Sequence, residues 1–265
     1  MIKLICSDLD GTLIRENYGS LNPELFGLIR QLKEKGVTFC LATGRQYPCI
    51  QRMFREVEDG MYFIANNGAS VHVDRETIRV IYLDDSRIDE LIDDVLSVPG
   101  FEIDVTTPDC GYTSTTNETF FNTLIGPVGY VEENVADLHH LPEKVIKMAA
   151  NQYGHQAMDE EHYQWFLKKY GALYDVYRSG NGWMDFMGKG VGKGHAVRFL
   201  MERMNLLPSE VAVFGDNQND ISMFEVCDHS YCVSTATEDV KKHAKYICDD
   251  VIQELKKILS EVSNE

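Results

Sequence analysis

Two aspartates two positions apart, Asp8 and Asp10, stand near the start of the chain, directly after the apolar residues 2–7. In an extended chain the side chains of residues i and i+2 point to the same side, so both carboxylates face the same way. Gly11 then permits a turn, and Thr12 adds a hydroxyl group. A divalent-metal site with a carboxylate nucleophile would use such a pair. A polar turn at the end of a strand would use the same residue types, so this stretch alone leaves both interpretations open.

Two further stretches carry groups that could bind phosphate. Thr43 and Gly44 follow the apolar residues 37–42 and could offer a hydroxyl and a backbone N–H at the start of a helix. Lys193 lies in the glycine-rich residues 188–194, where its ammonium group could neutralise phosphate charge. Each also has an ordinary interpretation, a helix cap for Thr43 and Gly44 and a solvated side chain for Lys193.

A loop of carboxylates and amides follows the apolar residues 211–214. It runs from Asp216 to Asp220 and includes Asn219. Mg²⁺ prefers oxygen ligands of this kind. An Asp/Asn-rich turn that binds nothing is equally compatible with the loop taken alone.

Alternating strands and helices must position these candidate residues. Buried strands are predicted by the apolar runs 2–7, 37–42, 61–65 and 211–214, and the helix after Gly44 is predicted to reach about residue 57. This alternation favours a Rossmann-like parallel sheet covered by helices, in which the carboxyl ends of the strands meet at one edge.

A change of pattern divides the chain. Strand and helix stop alternating at about residue 84, and the alternation returns after residue 187. We therefore predict an α/β core domain, residues 1–83 and 188–265, interrupted by an inserted α+β domain, residues 84–187. Within the insertion, residues 144–150 fit either a strand or a helix, and no pattern assigns residues 117–142.

Composition limits the classes of partner. The 265 residues include 42 acidic and 25 basic side chains, a net charge of −17, so we expect neither nucleic acid nor an anionic membrane as partner. Phosphate esters are also repelled at long range, and a phosphate site needs local positive charge. The seven scattered cysteines contain no Cys-x-x-Cys pair, which argues against a disulfide framework or a zinc site. We recognise no signal peptide or membrane span, and expect a cytoplasmic location.

The order and spacing of four motifs resemble those of the haloacid dehalogenase (HAD) superfamily, in particular its Cof-type branch of sugar-phosphate phosphatases. The motifs are residues 8–12 (Asp-Leu-Asp-Gly-Thr), 42–45 (Ala-Thr-Gly-Arg), 193–194 (Lys-Gly) and 215–220 (Gly-Asp-Asn-Gln-Asn-Asp). Residues 67–69 also look like a segment common in that branch. The resemblance covers both halves of the predicted core domain, whereas the insertion matches only in position and in its α+β composition.

The resemblance implies a role for each candidate residue. Asp8 would attack the phosphoryl group to form an aspartyl-phosphate, and Asp10 would act as general acid and base. Mg²⁺ would be held by Asp8, the backbone carbonyl of Asp10, and Asp216, with Asp220 supporting the metal site or ligating through water. The transferring phosphate would be held by Thr43, Gly44, Lys193 and Asn219.

The resemblance also implies that the insertion is a cap domain that closes over the site and selects the substrate. Several polar residues could contact a substrate, although a surface or structural role is the more ordinary one for each: Arg45, Tyr47, Asn67, Asp104, Tyr112, Asn122, His139 and His140.

Together, the residues and the resemblance predict a Mg²⁺-dependent phosphatase for small phosphomonoesters, in the first place sugar phosphates. A phosphomutase acting on hexose phosphates would use the same aspartates and differ in what accepts the phosphoryl group. A non-catalytic phosphate-binding regulatory module would be expected to lack a nucleophile or metal ligand, and this chain retains them. The expected partner is a small phosphorylated metabolite, and the chain is expected to be a monomer or a homodimer.

Overall fold

The computed structural model of the chain describes residues 1–15, 20–155, 157–180 and 182–263. They divide into two units, the first formed by Met1–Arg79 with Gly192–Glu265 and the second by Val80–Val191. The inserted domain predicted from the sequence spans residues 84–187. The second unit is a few residues longer at each end, from Val80 to Val191. Among the described residues, none of the helices is both long and apolar enough to cross a bilayer.

Strands and helices alternate through much of the chain. In chain order, the strands are β1 Leu4–Ser7, β2 Thr38–Ala42, β3 Tyr62–Ala65, β4 Ser70–Val73, β5 Glu76–Val80, β6 Phe101–Thr106, β7 Gly111–Thr113, β8 Glu132–Asn134, β9 Lys147–Gln152, β10 Tyr174–Gly180, β11 Trp183–Gly188, β12 Val211–Gly215, β13 His229–Val233 and β14 Tyr246–Cys248. The α-helices are α1 Glu24–Glu34, α2 Tyr47–Met53, α3 Ile88–Ser97, α4 Glu118–Thr123, α5 Glu160–Tyr170, α6 Lys193–Met204, α7 Ile221–Phe224, α8 Glu238–Lys241 and α9 Val251–Ser263.

The sheet of the first unit has the strand order β14-β13-β12-β1-β2-β3-β4-β5. From β14 to β3 every neighbouring pair is parallel, and β4 then runs antiparallel to β3. The predicted parallel core sheet is therefore confirmed. Ser7 is in register with Phe214 on one side and with Leu41 on the other. The three strands that precede the predicted site motifs are thus neighbours and end at the same edge.

Helices cover both faces of this sheet. One face packs against α1 and α9, whose apolar side chains recur at helical spacing, as at Leu25, Leu28 and Leu32 of α1. The other face packs against α6 and α7. Strands buried on both faces have few polar residues, which explains the unbroken apolar runs in the sequence.

The second unit has its own sheet and its own apolar core. The strand order is β10-β11-β9-β6-β7-β8, antiparallel except for the β7–β8 pair. Side chains of α3 and α5 pack with those of the sheet. Residues 147–152, within and just after the ambiguous stretch, form β9, and the unassigned residues 117–142 contain α4 and β8.

Candidate active site

Asp8 lies at the exit of β1, and its carboxylate is almost fully buried. Its backbone N–H donates to the carbonyl oxygen of Phe214 at 2.9 Å, so the residue continues the β1–β12 pairing. The Oδ1 atom accepts a hydrogen bond from Nζ of Lys193 at 2.6 Å. The buried Oδ2 atom accepts none from the described residues. Burial, with the charges of Asp220 and Asp216, raises the pKa of Asp8 despite the opposing effect of Lys193.

Lys193 is the first residue of α6, and its ammonium group lies between two carboxylates. The side chain is 0% exposed, and Nζ donates to Oδ1 of Asp8 at 2.6 Å and to Oδ1 of Asp220 at 2.7 Å. Burial lowers the pKa of Lys193, but the two carboxylates outweigh burial and raise it. The predicted phosphate-binding lysine is therefore a charged side chain in contact with the predicted nucleophile.

Asp220 organises the loop after β12. Its Oδ2 atom accepts hydrogen bonds from the backbone N–H groups of Asp216 at 2.9 Å and Asn217 at 3.0 Å. Its Oδ1 atom is occupied by Lys193. Both oxygens therefore already accept hydrogen bonds, which fits the implied role of supporting the metal site, and ligation through water stays a prediction.

Asp216 lies against the turn that follows Asp10. The Oδ1 atom of Asp216 accepts a hydrogen bond from Oγ1 of Thr12 at 2.8 Å. Gly11 has a φ of +94°, and a Cβ atom there would lie 2.2 Å from Oδ2 of Asp216. The Asp-Gly-Thr turn and the Asp216 loop can approach this closely only because residue 11 is a glycine.

The acidic groups fit a divalent cation. Carboxylate oxygens of Asp8, Asp216 and Asp220 lie within 4.8 Å of one another. Oδ2 of Asp8 is buried with no hydrogen bond from the described residues, and burial and the Asp220 charge raise the pKa of Asp216. A hard cation with oxygen ligands would offset this crowding of negative charge. The predicted participation of the Asp10 carbonyl stays a prediction.

Asp10 is paired with Arg45, which follows Thr43 and Gly44. Nε of Arg45 donates to Oδ2 of Asp10 at 2.8 Å, and Nη2 donates to Oδ1 at 2.6 Å. The side chain of Arg45 is 9% exposed and that of Asp10 is 46% exposed. From the sequence, Arg45 was predicted as the last residue of the second motif and as one of several residues that could contact a substrate, without the partner Asp10.

Three of the predicted phosphate-binding residues, Thr43, Gly44 and Asn219, lie against Asn67. The backbone N–H of Asn67 donates to the carbonyl oxygen of Thr43 at 2.9 Å, and its side-chain Oδ1 accepts from Nδ2 of Asn219 at 3.0 Å. A Cβ atom on Gly44 would lie 3.2 Å from Oδ1 of Asn67. Asn67 has a φ of 55°, a left-handed conformation that asparagine tolerates better than most residues. Asn67, the first residue of the segment 67–69 noted in the sequence, thus joins two site motifs.

Other polar residues from the sequence analysis also have structural contacts, among them Tyr47 and Asp104. The ring of Tyr47 stacks on that of His72, with centroids 3.7 Å apart. In the second unit, Asp104 is buried beside Lys147, whose Nζ lies 3.0 Å from Oδ1 of Asp185. Burial raises the pKa of Asp104 to about 6.

Comparisons with known proteins agree with the motifs. A family model described as haloacid dehalogenase-like hydrolase matches residues 5–254. The chain is 27% identical over 248 residues to 5-amino-6-(5-phospho-D-ribitylamino)uracil phosphatase of Escherichia coli, covering 92% of this chain and 90% of the relative. It is 24% identical over 247 residues to phosphoglycolate phosphatase of Thermoplasma volcanium, covering 93% and 92%. A solved structure from Eubacterium rectale matches with a TM-score of 0.83 and 30% identity, covering 99% of this chain and 98% of that one.

Proposed function

Since this chain is a phosphatase of the haloacid dehalogenase-like hydrolase family, we propose that it hydrolyses small phosphomonoesters with Mg²⁺ through an aspartyl-phosphate formed on Asp8. One observation carries the proposal. The buried carboxylate of Asp8 has one oxygen on Lys193, and its other oxygen accepts no hydrogen bond from the described residues.

In this proposal Asp8 is the nucleophile. One oxygen of its carboxylate attacks phosphorus, and the bond between phosphorus and the ester oxygen breaks. The ammonium group of Lys193 keeps the carboxylate in place, and its charge partly neutralises the transferring phosphoryl group. Mg²⁺, when bound, would neutralise further negative charge of the transferring phosphoryl group. In this proposal Asp8 and Asp216 hold the ion, together with the Asp10 carbonyl, and Asp220 supports them.

In this proposal Asp10 is the general acid and base. In the first half-reaction it donates a proton to the ester oxygen of the leaving alcohol as that bond breaks. In the second it takes a proton from the water that attacks the aspartyl-phosphate, so Asp8 is regenerated and inorganic phosphate leaves. Thr43, Gly44 and Asn219 hold the phosphate in this scheme, and Asn67 fixes two of these segments.

The substrate class is proposed from the relatives and from the local charge. The named substrates of two curated relatives, a phosphoribityl compound and phosphoglycolate, are both small phosphomonoesters. The first carries its phosphate on a sugar-derived chain, which favours sugar phosphates here. Selection of the substrate by the second unit, and a cytoplasmic location, stay predictions.

The test is a panel of phosphorylated metabolites assayed for released phosphate with the wild-type protein and with Asp8→Asn. We expect the wild type to release phosphate from one or more sugar phosphates, and Asp8→Asn to lose turnover by at least about 10⁴-fold because the amide is not a nucleophile. A matched control is Asp59→Asn, since Asp59 is an exposed aspartate of the same unit.

Two results would contradict the proposal. Appreciable turnover of an aryl phosphate by Asp8→Asn would exclude Asp8 as nucleophile. Conversion of a hexose monophosphate to its isomer without phosphate release would identify a phosphomutase.

A further inference from the structure

We propose that Arg45 is a positioning residue that holds the carboxylate of Asp10 in the orientation from which it protonates the leaving group. This inference rests on the proposed function, because it assigns Arg45 a task only if Asp10 is the general acid. Arg45 does not need to touch the substrate for this task. It acts through Asp10.

The contact between the two side chains is bidentate, and we call it the fork. Nε and Nη2 of Arg45 reach different oxygens of Asp10, at 2.8 and 2.6 Å. Two parallel hydrogen bonds fix the plane of the carboxylate as well as its position, which a single contact cannot do. Asp10 needs such a restraint, because its side chain is 46% exposed and would otherwise exchange between rotamers.

Arg45 is itself held firmly. Its backbone N–H donates to Oγ1 of Thr43 at 3.2 Å, and its carbonyl oxygen accepts from the backbone N–H of Asn66 at 3.0 Å. Nη1 lies 3.7 Å from Sδ of Met53. The backbone of Arg45 is therefore anchored at the ends of β2 and β3, and its buried side chain extends from this fixed point to the exposed carboxylate of Asp10.

The fork leaves Asp10 able to transfer a proton. Each carboxylate oxygen has two lone pairs, and Arg45 uses one on each oxygen. The remaining lone pair on one oxygen can carry the proton that goes to the ester oxygen. A proton on a fixed oxygen reaches the leaving group without a search through rotamers, and a misplacement of about 1 Å at such a site can cost roughly 10²-fold in rate.

Leaving groups of different basicity separate this role from a general structural one. An alkyl alcohol must be protonated as it leaves, whereas 4-nitrophenolate is stable enough to leave without a proton. We therefore compare kcat/KM for an alkyl phosphate from the metabolite panel with kcat/KM for 4-nitrophenyl phosphate. This parameter reports on steps up to formation of the aspartyl-phosphate, so the later base role of Asp10 does not enter.

The variants are Arg45→Lys, which keeps the buried charge but loses the fork, and Arg45→Gln, which loses both. We expect each to lower kcat/KM for the alkyl phosphate by about 10- to 100-fold more than for 4-nitrophenyl phosphate. Asp10→Asn should show the same selectivity. Combining it with Arg45→Lys should cause no further loss, because the two residues act as one unit. Arg30→Lys, at an exposed arginine paired with Glu56, is the matched control and should change neither value.

Several results would overturn the inference. These are equal losses on both substrates, a gain on the alkyl phosphate, additive losses in the double variant, or unfolding of both Arg45 variants in thermal melts. Retention of activity by Asp8→Asn would instead overturn the proposed function, so the two failures are distinguishable.

Discussion

At the scale of single residues, the site is a balance of buried charges. Lys193 is fully buried, yet it is flanked by the carboxylates of Asp8 and Asp220 at hydrogen-bonding distance. Desolvation of such groups costs several kcal/mol each, and the cost is offset only when partners are well placed. A buried ammonium with two carboxylates leaves a surplus negative charge, and a cation bound nearby would offset this charge.

Asp216 and Asp220 lie in one loop but should respond oppositely to substitution. In Asp220→Asn one accepting oxygen is replaced by an NH₂ group, which is itself a donor. This group would face another donor, either the ammonium of Lys193 or the backbone N–H groups of Asp216 and Asn217. We expect the free energy of unfolding to fall by about 3 kcal/mol. Burial and the charge of Asp220 raise the pKa of Asp216 in the folded state above its unfolded value. At a pH above both values, ionisation of Asp216 therefore lowers the free energy of unfolding. Asp216→Asn should therefore leave stability unchanged or raise it by up to about 1 kcal/mol. Urea denaturation near pH 7 without metal measures both.

Addition of Mg²⁺ provides the control for this pair. Ligand at about 100 times its Kd stabilises a protein by about 2.7 kcal/mol, and we expect such a gain for the wild type. Asp216→Asn should lose the gain. If Asp216→Asn still bound the ion with wild-type affinity, or if Asp220→Asn were as stable as the wild type, the assigned roles would be wrong.

At the scale of elements, the start of α6 is set by a close approach to α7. A Cβ atom on Gly194 would lie 2.0 Å from the carbonyl oxygen of Ser222. The backbone N–H of Gly194 also donates to Oγ of Ser222 at 3.1 Å. This contact places Lys193, one residue earlier, against Asp8.

We therefore expect Gly194→Ala to lower the free energy of unfolding by about 1–3 kcal/mol through overpacking. It should also lower kcat, because α6 must shift and carry Lys193 with it. Gly27→Ala is the control: Gly27 lies within α1, and its Cβ would have nothing within 4 Å. That change should raise stability by about 0.5–1 kcal/mol and leave kcat unaltered. Equal effects of the two alanines in urea denaturation would contradict this interpretation.

Elements buried on both faces were predictable from the sequence, and contacts between side chains were not. The apolar runs before Asp8 and Thr43 form neighbouring parallel strands, as predicted. The predicted end of the helix after Gly44, at about residue 57, was wrong, because α2 ends at Met53. Phe54 and Val57 lie beyond the end of α2 but are still buried. The spacing of apolar residues therefore predicted that these side chains are buried, but not that the helix continues to them. The fork between Arg45 and Asp10 joins residues 35 positions apart, and no local pattern encodes it.

At the scale of the whole molecule, each of the two units has its own core. The first unit is discontinuous in sequence, and its two segments share one sheet in which β1 pairs with β12. Every described site residue discussed in the proposed mechanism lies in this unit. The chemistry could therefore be predicted from short motifs in two separated segments. The substrate could not, because the local charges identify a phosphate group and leave the rest of the molecule unspecified.

The net charge of −17 should make catalysis depend on salt in an unusual direction. At long range a dianionic substrate experiences the summed negative charge of the protein, which repels it. The local positive charges of Lys193 and a bound cation act only at short range. Raising the ionic strength from about 0.01 to 0.15 M shortens the screening length from about 30 to 8 Å and removes much of this repulsion. We therefore expect kcat/KM to rise with KCl at saturating Mg²⁺. Replacing the exposed Asp59, Glu238 and Asp239 by their amides removes three negative charges and should weaken the dependence. A fall of kcat/KM with salt would mean instead that positive charge at the site governs the approach of the substrate.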